Sequence, residues 1–486
     1  MDLKEETISG VKWNSLSSFI TAGLQLLTLL VLARLLPPAV FGLIGMAAFV
    51  VGFAQIFSDM GVSNAIIYRQ DVVQDDLSSL FWLNVLAGVS LFVVLFAMNP
   101  LLTAFYREPG LARPLYLSCL VFLISPFGQL SQALLQKDLC FRSLAIIQLL
   151  GALLNSSLSI VFALCGMGVY SIICGQLAST LLQVTLFFYY AGTYWRPRWY
   201  FSVRRVKSYV SFGLYQMGEK TMNYFNSNLD FLLIGSLLGA TQLGYYTLAY
   251  NLVLKPSQLI NPILTKIAFP VFSRIQNDTA KLKRGYLRVL NYVSAVNCPI
   301  IVGMVATAPI AIHYLGPQWM PSLVLIQILS LVGLLRALCN PVGALLLAKG
   351  RADLGFKWNA WITLTQIPGL YLGARLGGTV GVAAAFALLM VVYTVAEYPV
   401  LIRPVLKPCL AEYVQSMFPA LWKSVVMGAV VWMSGALLQA LPKSCALCTQ
   451  IILGAGIYAG LMLMLQKEII VELKTLFIPR KQISLT

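Results

Sequence analysis

Apolar runs long enough to cross a membrane follow one another along almost the whole chain, and this feature limits the fold more than any other. Of the 486 residues, 59% are hydrophobic and only 10% are charged, which is far from the composition of soluble proteins. The sequence therefore predicts an all-α polytopic membrane protein with about fourteen transmembrane helices, each of roughly 20 mainly apolar residues.

The predicted spans are separated by Gly, Pro and charged residues. They lie near residues 11–33, 38–58, 79–98, 114–136, 143–165, 168–190, 208–236, 241–265, 286–312, 321–346, 356–375, 379–402, 418–440 and 446–466. The short connections leave no room for a separate catalytic, nucleotide-binding or DNA-binding domain. The sequence also lacks phosphate-binding glycine loops and hydrolase motifs, and it contains a single histidine, His313. We therefore expect no enzyme, no metal site and no ATP-driven pump.

The basic residues predict the orientation of the spans. The chain has 34 Lys and Arg residues against 17 Asp and Glu, a formal charge of +17. With the N-terminus in the cytoplasm, twenty-five of these 34 lie in cytoplasmic segments, five in outer segments and four within spans. Such an excess is usual for cytoplasmic loops, so the charge does not indicate a nucleic acid partner. We predict a multi-pass protein with both termini in the cytoplasm.

A basic segment and a weak internal repeat predict two halves. Residues 192–207 form the longest basic connection, and we expect them to be a cytoplasmic linker. Gly42 recurs as Gly244 at an offset of 202, and Pro126 recurs as Pro341 at an offset of 215. Two pseudo-symmetric six-helix lobes in the same orientation would give this pattern. The predicted parts are the N-lobe 1–191, the linker 192–207, the C-lobe 208–405, and residues 406–486 with two further helices and a cytoplasmic tail.

Polar residues recur at helical spacing on two spans. The first-span stripe consists of Asn14, Ser18, Thr21, Gln25 and Thr28, and the seventh-span stripe consists of Glu219, Asn223, Asn226 and Asp230, with Lys220 beside it. The offset of 202 superposes Thr21 on Asn223 and Thr28 on Asp230, so the stripes occupy equivalent places in the two halves. We predict that they face each other across a polar cavity. Hydrogen bonding between packed helices is the other interpretation of the first-span stripe.

Charged side chains within the second half favour a polar interior. Lys255, Arg336 and Glu397 lie within predicted spans, as do Glu219 and Lys220. Each charge at the centre of a bilayer costs at least about 2.5 kcal/mol on insertion scales, so each requires water or a partner. Two interpretations remain open, a lumen that contacts substrate and structural ion pairs such as Glu219 with Lys255. In both, these side chains face inward.

Four segments carry a resemblance to a known family. They read ETISGVKWNSL, LARLLPPAVFGLIGMA, FSDMGVSNAIIYRQ and NPILTKIAFPVFSRIQND. Through them, and over nearly its whole length, the chain resembles the Wzx-type polysaccharide flippases of the MOP superfamily, and among these most of all the colanic-acid-type exporters. The resemblance implies a fourteen-helix bundle with two six-helix lobes around a central cavity. It also implies transport by alternating access in the bacterial inner membrane.

The resemblance implies a substrate and partners as well. The substrate would be an undecaprenyl-diphosphate-linked oligosaccharide repeat unit, moved from the cytoplasmic to the periplasmic leaflet in exopolysaccharide or capsule biosynthesis. Membrane lipids and polymerase or export components of the same pathway would be partners, and no cofactor is expected, although coupling to H+ or Na+ stays open. Two alternatives are a cation-coupled multidrug antiporter, with Glu219 or Asp230 carrying the cation, and a lipid-sugar ligase or polymerase. The short outer loops disfavour the latter.

Overall fold

A computed structural model describes residues 3–60, 62, 66, 73–192, 195–438 and 442–465, apart from some side chains within helices. Every regular element in this part of the chain is helical. In chain order the helices are α1 (Leu3–Leu35), α2 (Pro38–Ser58), α3 (Gln74–Tyr106), α4 (Ala112–Cys119), α5 (Val121–Lys137), α6 (Phe141–Leu164), α7 (Val169–Ala191), α8 (Val203–Arg274), α9 (Thr279–Leu315), α10 (Pro321–Cys339), α11 (Pro341–Ala348), α12 (Ala352–Glu397), α13 (Arg403–Leu406), α14 (Leu410–Leu437) and α15 (Lys443–Leu465). Short 3-10 turns lie at Pro109–Leu111 and Pro317–Trp319, and a π-helical turn lies at Tyr398–Ile402.

The long helices confirm the predicted class of membrane protein. By length and composition, 12 helices within the described residues can cross a membrane. Two of these helices are broken, α8 at Gly239 and α12 at Gly377 and Gly378. Gly239 has a φ of 84° and Gly378 a φ of 57°, which glycine adopts without the steric penalty of a side chain. With each broken helix counted as two spans, the number of membrane-crossing segments is about fourteen.

The chain forms two compact units, and the first consists of Met1–Leu248 with Thr363–Val382. In this unit α6 packs against α1 and α7, and α5 packs against α3 and α7. One apolar cluster contains Leu80, Phe81 and Leu130 together with Trp195, which follows α7. The predicted linker is therefore anchored, at Trp195, in the core of this unit.

The second unit consists of Ala249–Ile362 with Ala383–Thr486. Helix α9 is its centre and packs against α14, α10 and α15. Asp278 caps α9, because its carboxylate accepts hydrogen bonds from the backbone N–H groups of Ala280 and Lys281. These bonds and the Lys281 ammonium lower the pKa of Asp278. These two units are defined by contacts, whereas the predicted lobes on either side of residues 192–207 were inferred from the internal repeat. The division into lobes stays a prediction.

Two glycines allow a close helix crossing in the first unit. A methyl group on Gly42 of α2 would overlap the carbonyl oxygen of Ala240, and one on Gly244 of α8 would overlap the carbonyl oxygen of Pro38. The offset of 202 maps Pro38 onto Ala240 and Gly42 onto Gly244. The two contacts are therefore equivalents of each other, as at an interface between two symmetry-related copies.

A third contact at this crossing joins residues that are equivalent to each other. A methyl group on Gly45 would lie 2.9 Å from the hydroxyl oxygen of Thr247, and these two positions are 202 residues apart. Contact between equivalent residues is expected only close to a symmetry axis. The contacts between α2 and the part of α8 that follows Gly239 therefore have the local symmetry that an offset of 202 residues would give.

Candidate functional site

The seventh-span stripe lies on α8 before the break at Gly239, and Asp230 is its most buried member. Only 1% of the Asp230 side chain is exposed. Its Oδ2 accepts a 2.6 Å hydrogen bond from the hydroxyl of Tyr246, and its Oδ1 accepts one from the backbone N–H of Phe231. A carboxylate buried at this depth is stabilised by such charge-assisted bonds. In this structure Asp230 links the two segments of α8, and its predicted contact with substrate stays a prediction.

Asn226 joins the stripe to α12. The hydroxyl of Thr363 donates a 2.5 Å hydrogen bond to the side-chain oxygen of Asn226. The side-chain amide of Gln366 donates a 3.1 Å bond to the backbone oxygen of Asn226. Gln366 is almost completely buried, whereas Asn226 is only partly so. Residues on α8 and α12 that are far apart in sequence thus form one polar cluster within the first unit.

At the other end of the seventh-span stripe, the described side chains are exposed. Asn223 and Lys220 are both exposed. The neighbouring Tyr224 points elsewhere, because its hydroxyl donates a 2.8 Å bond to the backbone oxygen of Phe49 on α2. The side chain of Glu219 lies outside the described part of the chain. Exposure along the stripe therefore falls from Asn223 through Asn226 to Asp230.

The side chains of the first-span stripe on α1 differ in their exposure. Gln25 is exposed, and Ser18 and Thr21 are partly buried. Thr28 is buried, and its hydroxyl donates a 2.7 Å bond to the backbone oxygen of Leu24 in the same helix. Such bonding within the helix lets a hydroxyl lie in an apolar setting without a partner helix. The side chain of Asn14, the first member of the stripe, is not among the described residues.

In the second unit, Arg336 of α10 contacts an aromatic hydroxyl. One of its guanidinium N–H groups donates to the hydroxyl of Tyr250, at 3.4 Å. Arg336 is partly buried and Tyr250 is buried. The predicted pair of Glu219 with Lys255 stays a prediction, since neither side chain is described.

Glu397 lies at the end of α12, directly before the π-helical turn, and only 3% of it is exposed. The thiol of Cys339 on α10 is close to its carboxylate and lies 3.5 Å from the hydroxyl oxygen of Thr394. Among the described residues, its Oε2 atom has no hydrogen-bond partner. A carboxyl group in this state is costly to bury, and π-helical turns often occur at functional sites. The structure thus places Glu397 inside the second unit, away from solvent.

A cavity of about 650 Å³ lies within the second unit between α9, α14 and α15. Apolar side chains line most of it, and His313, Lys443 and Gln450 add polar groups. His313 Nδ1 lies 3.0 Å from the backbone oxygen of Pro309, so the ring has the ordinary hydrogen bond expected at a helix end. None of the residues that the sequence selected as cavity-lining lies in its wall.

Several polar partners were missed by the sequence analysis. Thr363 and Gln366 lie on one face of α12 with Asn359, at spacings of four and three, which is the same signal that identified the other stripes. In the second unit, the side-chain amide of Asn297 donates a 3.0 Å bond to the side-chain oxygen of Asn261, and both are buried. No spacing signal was available for this last pair.

Comparison with known proteins identifies the family. The sequence profile of a family described as "Polysaccharide biosynthesis protein" matches residues 31–324, which is more than half of the chain. The chain belongs to this family. It is 34% identical to the lipopolysaccharide biosynthesis protein WzxC of Escherichia coli (strain K12), over 90% of this chain and 89% of the relative. It is 32% identical to the teichuronic acid biosynthesis protein TuaB of Bacillus subtilis (strain 168), over 88% of this chain and 89% of the relative.

Solved structures confirm the fold of this family member. A structure of the lipid II flippase MurJ in an inward closed conformation matches with a TM-score of 0.76, over 94% of this chain and 99% of that chain. An inward-facing multidrug resistance MATE family transporter of the MOP superfamily matches with a TM-score of 0.57, over 85% and 94% of the two chains. Both are 14% identical, so these matches show a shared transporter fold.

Proposed function

We propose that this member of the polysaccharide biosynthesis family is a flippase for undecaprenyl-diphosphate-linked oligosaccharide repeat units. It moves them by alternating access from the cytoplasmic to the periplasmic leaflet, in exopolysaccharide or capsule biosynthesis. The observation that carries the proposal is the similarity, over about nine-tenths of the chain, to relatives named for the biosynthesis of two different surface polysaccharides.

The chemistry of the substrate agrees with the seventh-span stripe. An oligosaccharide carries many hydroxyl groups and needs amide and hydroxyl partners, whereas an undecaprenyl tail can stay in lipid. Asn223 is exposed on α8, and Asn226 and Thr363 continue the polar face. The diphosphate requires a cation, and the exposed Lys220 is a candidate for this contact. In this proposal Asp230 holds the shape of the stripe through Tyr246.

The proposal includes the remaining features of the transporter. The protein carries out no chemical step and uses no cofactor, and any coupling is to a proton or sodium gradient. It lies in the bacterial inner membrane with both termini in the cytoplasm. Polymerase or export components of the same pathway receive the repeat unit after it has been moved.

Two other functions predict different phenotypes. A multidrug antiporter would share the fold, but the MATE structure matches less well than MurJ, with TM-scores of 0.57 and 0.76. Its loss would change drug susceptibility and leave repeat units unaffected. A lipid-sugar ligase or polymerase would leave single repeat units on the periplasmic leaflet after deletion.

The test is a clean deletion in a strain without a redundant flippase. We expect lipid-linked repeat units to accumulate on the cytoplasmic leaflet, where a periplasmic glycosidase cannot reach them in intact cells but can after lysis. Normal cleavage in intact cells would contradict the proposal. Loss of repeat-unit synthesis in membranes from the deletion strain would contradict it as well, because it would indicate an enzyme.

A further inference from the structure

The linker that follows α7 is fixed to the first turns of α3. The side-chain amide of Gln74 donates a 3.2 Å bond to the backbone oxygen of Arg196, and the indole N–H of Trp82 donates a 2.9 Å bond to that of Arg198. In return, the backbone N–H of Ser202 donates to the hydroxyl of Ser79, at 3.2 Å. Polar groups on α3 thus hold the linker backbone along its length.

This attachment creates an apolar groove, here called the linker groove. It has a volume of about 480 Å³. Its walls are Trp82, Val85, Leu86 and Val89 of α3 and Trp199, Tyr200 and Phe201 of the linker. The indole rings of Trp82 and Trp199 stack with their centres 4.4 Å apart and an angle of 24° between the planes. Nevertheless 90% of Trp199 is exposed, so its other face is free for a ligand.

The length of α3 sets the depth of the groove in the membrane. With 33 residues α3 is about 50 Å long, whereas the hydrocarbon core of a bilayer is about 30 Å thick. About 10 Å at each end of a centred helix therefore lies at headgroup level. Trp82 lies about 12 Å from the start of α3 and Val89 about 22 Å. The groove thus begins near the headgroups and continues among the acyl chains.

The groove has basic residues at its headgroup end. Arg196 and Arg198 are exposed and lie three residues and one residue before Trp199 in the chain. The nearby acidic Asp76 is turned inward, since it is buried and the hydroxyl of Tyr209 donates to it at 3.5 Å. Asp75, in the first turn of α3, is partly buried. An apolar slot whose linker wall directly follows two exposed arginines matches an anionic lipid, whose phosphate accepts bidentate bonds from arginine.

We propose that the linker groove binds one acyl chain of an anionic phospholipid, with the lipid phosphate on Arg196 and Arg198. The lipid belongs to the leaflet on the linker side, which the distribution of basic residues predicts to be cytoplasmic. A zwitterionic lipid of equal chain length would fill the slot but would give the arginines no net negative partner. This proposal does not depend on the transported substrate.

The test is a thermal-unfolding titration of the purified full-length protein in neutral detergent micelles. Phosphatidylglycerol and phosphatidylcholine with identical chains are added in turn. For the wild type we expect phosphatidylglycerol to raise Tm at a lower concentration than phosphatidylcholine. The Arg196→Gln/Arg198→Gln variant should need about 30-fold more phosphatidylglycerol for half of the effect. The matched control is Arg274→Gln/Arg403→Gln, which removes two exposed arginines of the second unit and should change nothing.

Two further variants test the slot itself. Leu86→Trp fills the groove without removing a linker contact, and Trp199→Ala removes one wall. Both should weaken binding of phosphatidylglycerol, whereas Tyr189→Ala, which removes an exposed aromatic ring of α7, should not. Equal effects of the two lipids on the wild type, or full binding by Leu86→Trp, would overturn the proposal. A polyprenyl phosphate that displaces phosphatidylglycerol at equal concentration would also overturn it, by making the groove a substrate site.

Discussion

Asp230 and Tyr246 hydrogen-bond to each other at 2.6 Å, and this bond joins the two segments of α8 on opposite sides of Gly239. The carboxylate lies nine residues before the break and the phenol seven residues after it. Because both side chains are buried, the bond has little competition from water. It therefore braces the angle between the two segments.

Removing the donor of this bond should loosen the brace. Tyr246→Phe keeps the ring and leaves Asp230 with one partner fewer, so we expect a loss of roughly 1–2 kcal/mol of unfolding free energy. Denaturation in SDS titrations measures the change, with Tyr116→Phe in the same unit as the control. A Tyr246→Phe protein as stable as the wild type would contradict the role assigned to the bond.

The crossing of α2 and α8 should not tolerate a methyl group. We expect Gly42→Ala and Gly244→Ala each to destabilise the protein by about 1–3 kcal/mol, because the new Cβ overlaps a backbone carbonyl oxygen. Gly23→Ala, on a part of α1 with open space around it, should be neutral or stabilising. Since both contacts belong to one crossing, the double variant should lose less than the sum of the single losses. Full additivity in thermal unfolding would mean two independent contacts.

Access of water should decline along the seventh-span stripe. In a cysteine-free background, we expect a membrane-impermeant thiol reagent to label a cysteine at 223 fastest, one at 226 more slowly and one at 230 least. The reason is the gradient of exposure from Asn223 to Asp230. Cysteines at 225, 229 and 232, on other faces of the helix, serve as controls. Equal and low labelling at all six positions would leave the stripe as contacts between packed helices.

We expect Glu397 to lower the stability of the folded protein while it contributes to export. Its side chain is almost completely buried, and its Oε2 atom lacks a hydrogen-bond partner among the described residues. Replacing a buried carboxyl by an apolar side chain of similar volume is often stabilising, so we expect Glu397→Met to raise Tm and to lower polysaccharide export. Glu397→Gln keeps the shape and tests the charge alone. A less stable Glu397→Met protein would argue for a structural role.

The orientation of the spans can be tested directly. At residues 192–207 and at the C-terminus, we expect a reporter that works only in the cytoplasm to be active and one that works only in the periplasm to be inactive. The reason is that the basic residues concentrate on the cytoplasmic side. Fusions between α1 and α2 and between α9 and α10 should report the opposite side. A periplasmic signal from either of the first two positions would overturn the predicted topology.

Sequence patterns were sufficient for the helices because an apolar run of membrane length has few other structures open to it. The predicted positions of the helix ends were less accurate. The predicted span 79–98 is only the middle of α3 (Gln74–Tyr106), since the helix continues through polar residues such as Asp75 that lie beyond the hydrocarbon core. Hydropathy reports the depth of the membrane, whereas helix ends depend on hydrogen bonding and capping.

The partners of the polar residues could not be predicted in the same way. Spacing placed Asn226 on one face of α8, but its partner Thr363 is 137 residues away on α12. Which helices become neighbours depends on the packing of the whole bundle, and helical periodicity contains no information about it. The same holds for Arg336, whose observed partner Tyr250 was not among the residues selected from the sequence.

The break at Gly239 has a mechanical consequence. A single residue connects the two segments of α8, so the α-carbons on either side of it, those of Leu238 and Ala240, stay at most two steps of about 3.8 Å apart. Relative movement of the two segments is then rotation about a fixed vertex, and displacement grows with distance from Gly239. Within the first unit, the start of α8 near Val203 would therefore travel further than Asp230, which lies only nine residues from the break.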